Sequence, residues 1–397
     1  MKTDMRVEFC GLELKNPLIA ASADYSREKD SFTRLAKSGV AAIILKSVTD
    51  AEALQAKSIA RFDIMDVKQN KVRGDIPEQY TFFSRGGSML KLSEFTETAK
   101  EYLEIAKEND VLLIGSIAAS KKENWVTYAK HMEKMGMQAI ELNFGNPHGE
   151  ASDGKLGFLI GQIPELCCDI TKAVLDAVDI PVIAKLTPQI SDMAELASAL
   201  KKVGVRAVTA MHRFQGLVVD PIDEEVFLGG YAAIGGTWMK PVSLANIAKV
   251  YRQTGMEICG SNGVDTGKDL VEYMMCGAKV VQMCSTLMFK GVDSAAKIIC
   301  DAQEIMTKKE VAKAEDIVGR LAKKIITYKN LGDLPNIKSE VDTTKCEKCK
   351  DKPCLSRCYF SAIRLENGKV VADDEACTGC GMCIHICTEN AVKLVEY

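Results

Sequence analysis

Eight short apolar runs, separated by stretches with helical spacing, constrain the fold of residues 1 to about 310 more than any other feature. Several runs are apolar throughout rather than alternating, as expected for strands that are buried on both faces. The stretch 191–204 between two of them has apolar residues at helical spacing and a glycine stop. The runs are PLIAAS (17–22), AAIILK (41–46), VLLIGS (111–116), QAIELN (138–143), PVIAKL (181–186), RAVTAM (206–211), MEICGS (256–261) and KVVQMC (279–284).

Eight strand–helix units in roughly 300 residues predict a (β/α)8 TIM barrel. A doubly wound parallel sheet is the alternative, but it normally carries a glycine-rich fingerprint after an early strand. No such fingerprint is present. In TIM barrels the chemistry lies at the C-terminal ends of the strands, and those ends are polar here.

Two predicted strands close on a lysine, Lys46 and Lys185. A lysine that ends a buried strand needs an anionic or electron-rich partner, although ordinary surface lysines are the alternative. Glycine and hydroxyl residues follow strands seven and eight, at Gly263 and Ser285, as in a TIM-barrel phosphate site. A flavin with a phosphate tail would fit both features.

The last fifty residues contain two cysteine runs, Cys346-x2-Cys349-x4-Cys354-x3-Cys358 and Cys377-x2-Cys380-x2-Cys383-x3-Cys387. The second has the spacing of a bacterial two-cluster ferredoxin, and the first differs by two extra residues. Zinc and disulfides are the alternatives, but zinc sites use two separated ligand pairs. We therefore predict a ferredoxin-like domain at 341–397, after a barrel domain at 1–340 that includes the connecting helix.

In two-cluster ferredoxins three thiolates of one loop bind a cluster, and the fourth cysteine reaches across to the other cluster. The prediction is therefore two [4Fe-4S] clusters with crossed ligand sets. One set is Cys346, Cys349, Cys354 and Cys387, and the other is Cys358, Cys377, Cys380 and Cys383.

Bulk properties exclude several classes of function. The formal net charge of −3 gives no indication of nucleic-acid binding. No apolar run reaches transmembrane length, and the N-terminus lacks the apolar segment of a signal peptide. Seven of the fifteen cysteines lie outside the two runs, in apolar surroundings, which is typical of a reducing compartment. We expect a cytoplasmic protein.

Several longer motifs together resemble the FMN-containing half of the dihydropyrimidine dehydrogenases and, more distantly, the dihydroorotate dehydrogenases. They are NPLIAAS, LKSVTD, ELNFGNPHG, PVIAKLTPQISD, AVTAMHRFQGL, GGTWMKP, SNGVDTGKDLVEYMMCGAKVVQMCST and the cysteine runs.

The resemblance implies an FMN at the barrel mouth that exchanges electrons with the clusters and a hydride with a carbon–carbon bond. It also implies an electron donor, either ferredoxin or a separate FAD/NAD(P)H subunit, and a homodimer or hetero-oligomer. The FMN-contacting positions carried over are Ala21, Ser22, Lys46, Ser47, Asn143, Lys185, Gly236, Asn262, Gly263, Cys284 and Ser285.

The chain departs from the family where the substrate would bind. The family motif has a cysteine as proton donor or acceptor, and Asn146 stands in its place. An amide cannot act as a general acid near neutral pH. After strand six the expected Asn-Thr pair is His212–Arg213, and after strand three the expected asparagine is replaced within SIAASKKENW.

An arginine beside a histidine suits a carboxylate or another anion, whereas amides suit the edge of a pyrimidine. We therefore expect a small, anionic, non-pyrimidine substrate bound by Arg213 and His212 with Asn143 and Asn146. The alternative for His212–Arg213 is a structural pair that holds the following loop.

The proton donor is left open among His148, Glu150, His212 and Tyr25, with water as the remaining choice. Three functions compete: a reductase of a non-pyrimidine anion, a dihydropyrimidine dehydrogenase subunit with a relocated acid, and a non-catalytic electron-transfer flavoprotein.

Overall fold

The computed structural model describes residues 1–56, 62–85, 89–149, 151 and 154–397. Its contacts divide the chain into two compact units, Met1–Lys324 and Ile325–Tyr397. The predicted domain boundary at residue 340 falls inside the strand Ile337–Val341, which pairs with Val392–Glu396 near the C-terminus. Because these backbone hydrogen bonds tie the strand to the end of the chain, the division between the units lies earlier than the pattern of the sequence suggests.

Eight parallel strands close into a barrel in the first unit, so the TIM-barrel prediction is confirmed and the open, doubly wound sheet is excluded. Each predicted run overlaps one strand, and closure is made by the pairing of the eighth strand with the first. The strands are β1 (Leu18–Ala20), β2 (Ala42–Ile44), β3 (Leu112–Ile117), β4 (Ala139–Asn143), β5 (Val182–Lys185), β6 (Ala207–Ala210), β7 (Glu257–Ser261) and β8 (Val280–Met283).

One long helix follows each barrel strand. The Asp192 carboxylate begins the fifth helix by accepting hydrogen bonds from the N–H groups of Ala194 and Glu195, at 2.8 and 3.1 Å. The helices are α1 (Lys29–Lys37), α2 (Leu92–Glu108), α3 (Lys122–Met135), α4 (Pro164–Leu175), α5 (Met193–Lys202), α6 (Lys240–Thr254), α7 (Gly267–Cys276) and α8 (Ser294–Lys308).

The first unit also contains shorter strands and helical segments outside the barrel. A four-stranded antiparallel sheet pairs in the order Phe214–Gly216, Ala232–Gly235, Tyr80–Ser84 and Phe62–Asp66. Two hairpins pair Val7–Phe9 with Leu12–Leu14 and Val219–Asp220 with Glu225–Val226. Short helical segments are Asp24–Ser26, Glu52–Gln55, Phe158–Gly161, Phe227–Gly229, Thr237–Met239, Ser285–Phe289, Ala314–Ile317 and Ala322–Lys324.

The second unit is small and has its own apolar cluster, which includes several of its cysteines. Two antiparallel pairs form its sheets, Ile337–Val341 with Val392–Glu396 and Ile363–Glu366 with Lys369–Ala372. Its helical segments are Tyr328–Asp333, Thr343–Cys346, Pro353–Arg357 and Met382–Ile386. Within the described part of the whole chain, no helix has both the length and the apolar character that a membrane crossing requires.

Candidate active site at the barrel mouth

A cleft opens at the C-terminal ends of the barrel strands, where the sequence predicts the chemistry. Its walls combine a few apolar side chains with an unusual density of charge. It is lined by Ser22, Ala23, Asp24, Lys46, Ser47, Leu54, Phe62, Phe82, Ser84, Arg85, Met89, Asn143, Asn146, His148, Lys185, His212, Arg213, Cys284 and Met288.

A closed polar network lies in the barrel interior beneath this cleft. The fully buried Glu141 on β4 accepts hydrogen bonds from Thr209 on β6 (2.8 Å) and Gln282 on β8 (2.5 Å). These three strands are alternate members of the barrel, as in the side-chain layers of this fold. Lys185 on β5 donates to Gln282 Oε1 at 2.7 Å, and its Nζ lies 3.4 Å from Glu141. The network therefore neutralises Lys185 and fixes its ammonium at the floor of the cleft.

Lys46 is the second lysine predicted to need a partner, and its Nζ lies 3.4 Å from Asp24 Oδ2. Burial lowers the pKa of this lysine, and the nearby Asp24 opposes that shift. On the same side, Ser47 Oγ lies 2.8 Å from Ser116 Oγ and 3.4 Å from Ser22 Oγ. This edge of the cleft thus offers an ammonium and two hydroxyls to a ligand.

The motif that follows β4 carries Asn143, Asn146 and His148, all of which border the cleft. Asn143 Oδ1 accepts from the N–H of Gly145 at 3.2 Å. A Cβ on Gly145 would lie 2.4 Å from His212 Cβ, so a glycine is required for this loop to pack against the end of β6. The buried Nδ2 of Asn146 has no hydrogen-bond partner among the described residues, which is costly unless a ligand accepts from it.

His212 and Arg213 both border the cleft after β6. The His212 Nδ1 accepts the backbone N–H of Arg213 at 2.8 Å. Burial lowers the pKa of His212 well below its usual value, and the neighbouring cations Lys185 and Arg213 add to the shift. His212 is therefore a neutral imidazole near neutral pH. Arg213 donates from Nη1 to Ser84 Oγ at 2.7 Å, so it contacts the four-stranded sheet as well as the cleft.

His148 lies among cations. Burial lowers its pKa from 6.5 to about 4, and Arg213, Arg85 and Lys46 reinforce the shift. Tyr25, another candidate proton donor, instead directs its hydroxyl to the carbonyl oxygens of Ala21 (2.5 Å) and Met283 (3.2 Å). The candidate Glu150 lies outside the described residues, so its role stays a prediction.

A smaller cavity adjoins the cleft and is lined by Ala21, Ser22, Lys185, Met211, His212, Arg213, Ser261, Asn262 and Cys284. Asn262 has a positive φ of 70° and donates from Nδ2 to Met211 O at 2.7 Å. Three predicted cofactor residues, Gly236, Gly263 and Ser285, line neither cavity. A Cβ on Gly236 would lie 2.2 Å from Tyr80 O, and one on Gly263 would lie 2.5 Å from Lys240 N. Both glycines are thus required for backbone packing at the rim, and any flavin contact would come from their backbone.

Ser120 and Lys121, which replace the asparagine expected after strand three, directly precede α3 and do not line the cleft. The N–H groups of both donate to the Asp50 carboxylate, at 2.8 and 3.2 Å. Their position beside Asp50 explains why this replacement adds no polar group to the wall.

All fifteen cysteines fall in the described part of the chain, and none forms a disulfide. In the second unit one cavity is bordered by five cysteines. Four of them, Cys358, Cys377, Cys380 and Cys383, are the set that the spacing assigns to one cluster, and the fifth, Cys354, belongs to the other set. The pKa of Cys354 is raised by burial and by the nearby thiols Cys346, Cys387 and Cys349, which are the other set. Among the described residues no group is close enough to hold a single metal ion. In a [4Fe-4S] cubane each cysteine binds a different iron, so the four sulfur atoms do not have to converge on one point.

Several residues of the site were missed by sequence reasoning. Arg85 directly follows the strand Tyr80–Ser84, which is not among the eight predicted runs. A cation at the end of a strand is the same signal that identified Lys46. Glu141 and Gln282 stand inside apolar runs, where a lone polar residue could have indicated an interior partner. Asp24 had no local signal.

Comparison with known proteins agrees with this geometry. The family model described as dihydroorotate dehydrogenase matches residues 4–306. The catalytic subunit of dihydroorotate dehydrogenase B (NAD(+)) from Methanocaldococcus jannaschii is 30% identical over 318 residues, covering 79% of this chain and 97% of the relative. Its counterpart from Thermoplasma acidophilum is 28% identical, covering 80% and 98%.

A second kind of relative is the chloroplastic dihydropyrimidine dehydrogenase (NADP(+)) of Arabidopsis thaliana. It is 26% identical over 371 residues, covering 87% of this chain and 83% of the relative. The resemblance read from the motifs is therefore confirmed. The chain belongs to the dihydroorotate dehydrogenase family and is a flavoprotein oxidoreductase that acts on a CH–CH group.

Proposed function

We propose that this protein is an FMN- and iron–sulfur-dependent reductase or dehydrogenase of a small, anionic, non-pyrimidine molecule, acting on an activated C=C or CH–CH bond. The observation that carries the proposal is the charge of the cleft wall. The cation Arg213 borders the cleft together with the neutral groups His148 and Asn146, and Asn146 stands at the position of the family cysteine. A guanidinium binds a carboxylate through paired, charge-assisted hydrogen bonds.

The residues of the cleft fit an FMN. Phe62, Phe82 and Met288 supply apolar wall, while Ser22, Lys46, Ser47, Asn143 and Lys185 supply polar groups for the ring edge. We assign the phosphate side to Asn262, Gly263, Cys284 and Ser285, with Ala21 and Gly236 contributing backbone contacts. When bound, the flavin supplies or accepts the two electrons of the carbon–carbon chemistry.

Two [4Fe-4S] clusters belong to the proposal. Cys346, Cys349, Cys354 and Cys387 would hold one, and Cys358, Cys377, Cys380 and Cys383 the other. A Cys380→Ser variant of the anaerobically purified protein should lose half of the iron and keep its flavin. Unchanged iron content would remove the assignment.

The substrate-side residues have distinct tasks. Arg213 would bind an anionic group and Asn146 would donate its free N–H to the substrate. We assign the proton transfer to His148, because it borders the cleft and its pKa is held low by burial and, in addition, by neighbouring cations. As a neutral imidazole it can accept a proton in the oxidative direction. An anionic substrate would offset those cations and let the imidazole hold a proton for the reductive direction.

Electrons would come from a partner, either ferredoxin or a separate FAD/NAD(P)H subunit, within a homodimer or hetero-oligomer. The relatives named as catalytic subunits support a division of labour between chains. Absorbance during anaerobic mixing with reduced ferredoxin tests the first choice. Failure of ferredoxin to reduce the flavin would favour the second.

The central test is anaerobic. The protein is reduced with dithionite until the flavin bleaches, excess reductant is removed, and uracil, thymine and unsaturated carboxylates are added separately. Flavin reoxidation by carboxylates alone is the expected result. Fast reoxidation by uracil would overturn the proposal in favour of a dihydropyrimidine dehydrogenase, and reoxidation by none of them would favour an electron-transfer protein.

A variant connects the result to the structure. Arg213→Ala should slow reoxidation by the active carboxylate about 10- to 100-fold, because a charge-assisted hydrogen bond is lost. Flavin content should be unchanged. Arg73→Ala is the matched control, since Arg73 is exposed and borders no part of the cleft.

A further inference from the structure

We propose that the substrate carries two anionic groups, one bound by Arg85 and the other by Arg213, so that the substrate class is the unsaturated dicarboxylates. This inference rests on the proposed function, because it specifies the substrate of the same site. It adds to the site a cation that neither the sequence motifs nor the family resemblance indicated.

The guanidinium of Arg85 is held at the edge of the cleft by contacts with the protein. It directly follows the strand Tyr80–Ser84 and donates from Nη1 to the carbonyl oxygen of Leu228 at 2.6 Å. A Cβ on Gly229 or on Gly230 would lie 2.9 Å from its guanidinium. Both glycines have positive φ, 69° and 154°. The loop therefore leaves room for this guanidinium and fixes it through one backbone oxygen.

The guanidinium of Arg213 is held by contacts with a different set of residues. Its Nη1 donates to Ser84 Oγ at 2.7 Å, and its guanidinium carbon lies 5.1 Å from the centre of the Phe82 ring. A Cβ on Gly235 would lie 2.8 Å from Arg213 Cδ. The two guanidinium groups are thus held independently, each against neutral groups.

The described residues supply neither arginine with a paired carboxylate. Asp24, the ion-pair partner of Lys46, acts on Arg213 through its electrostatic field. Each guanidinium has five N–H donors, and the hydrogen bonds above use one donor of each. Neither forms an ion pair with a described carboxylate, whereas the two lysines of the cleft have Asp24 and Glu141. Burial also lowers the pKa of Arg213, so its charge is partly withdrawn from water.

Two guanidiniums without a paired carboxylate in one cleft favour a ligand with two separate anionic groups. A carboxylate satisfies one guanidinium through two parallel hydrogen bonds. A monoanion would leave the second cation, and the lowered pKa of His148 beside it, without compensation. A dianion would offset both charges and let His148 hold its proton.

The experiment uses the anaerobically purified, flavin-loaded protein and matched pairs of acids. Calorimetric binding is measured for succinate and butyrate, and flavin reoxidation for fumarate and crotonate, with trans-2-pentenedioate and trans-2-pentenoate as the longer pair. We expect each dicarboxylate to bind or react about 10- to 100-fold better than its monocarboxylate, the effect of one charge-assisted contact.

The Arg85→Gln variant should remove this preference by weakening the response to the dicarboxylates, while the flavin content stays unchanged. The substitution removes the charge and the guanidinium contact with Leu228 O, and the flavin content reports whether the cleft stays intact. Arg73→Gln is the control and should change nothing.

Other outcomes separate the two proposals. Equal responses to mono- and dicarboxylates at both lengths, with loss only in Arg213→Gln, would overturn the second anionic group and leave the proposed function intact. Loss of flavin in Arg85→Gln would overturn the inference by assigning Arg85 to the cofactor. Reoxidation by uracil and by no carboxylate would overturn both.

Discussion

The barrel interior and the barrel mouth both contain charged side chains shielded from water, but the two regions differ in how these charges are compensated. In the interior, Glu141 is bonded to Thr209 and Gln282, and its charge is matched by Lys185. At the mouth, Arg85 and Arg213 are held by a carbonyl and a hydroxyl. The interior network is complete in the protein alone, whereas at the mouth the described residues pair neither arginine with a carboxylate.

The difference separates structural charge from functional charge. Withdrawing an ion from water costs several kcal/mol, and a partner of opposite charge offsets that cost. Where the protein provides the partner, the pair fixes a side chain, as Glu141 fixes Lys185. Where it provides only neutral acceptors, the remaining electrostatic compensation is available to a ligand. Three predictions test this comparison.

The largest effect is expected in the interior. Lys185→Met leaves Glu141 buried without its counter-charge, so the free energy of unfolding should fall by about 3–5 kcal/mol. Urea unfolding followed by circular dichroism measures it. Adding Glu141→Gln to this variant should restore most of the loss. A single variant as stable as the parent protein would show that the interior charge is not structurally coupled.

An intermediate effect concerns pH and the mouth. Folding lowers the pKa of His148 from 6.5 to about 4, so between these values the unfolded chain binds more protons than the folded one. The stability contributed by this group is complete above pH 6.5 and is lost as pH falls towards 4.

Between pH 7 and 5 the parent protein should lose on the order of 1–2 kcal/mol more stability than His148→Gln. Unfolding curves at the two pH values provide the measurement. His212, whose pKa is also lowered, keeps its own contribution in both proteins. Parallel losses in the two proteins would contradict a neutral His148. In the presence of a bound dianion the difference should shrink, because the cations that lower this pKa are compensated.

The smallest effect is expected at Asn146. Its unpartnered, buried Nδ2 costs stability in the ligand-free protein, so Asn146→Ala should be neutral or stabilising by up to about 1 kcal/mol. The same variant should bind substrate about tenfold more weakly. Ser84→Ala is the matched comparison, because it removes an acceptor that Arg213 uses and should destabilise by about 1 kcal/mol. Destabilisation by Asn146→Ala greater than that of Ser84→Ala would show that Asn146 is structural.

Much of the fold could be predicted from local pattern. Continuous apolar runs located all eight barrel strands, and the apolar spacing over 191–204 located α5. Lysines at strand ends located two sides of the cleft, and the turn-rich motif after β4 located Asn143, Asn146 and His148. These features are local because period, capping and strand ends depend on residues close in sequence.

The four-stranded antiparallel sheet was missed because its strands pair with segments far away in the sequence. Phe62–Asp66 and Tyr80–Ser84 meet Ala232–Gly235 and Phe214–Gly216. Three of these short strands contain polar residues, and the fourth, Ala232–Gly235, has only four residues. Arg85 and Ser84 went unnoticed with them. Their partners Leu228 and Arg213 lie 143 and 129 residues further along the chain.

The sequence by itself determined the barrel, the edge at which chemistry occurs, and the cysteine spacing that predicts two clusters. Only the tertiary structure decided which charges are matched. Glu141 and Gln282 are 141 residues apart in the chain and share one hydrogen bond, while Arg85 and Arg213 reach the same cleft from different strands. Whether a charge is compensated depends on distances of a few ångströms between distant segments, and closure of the barrel sets those distances.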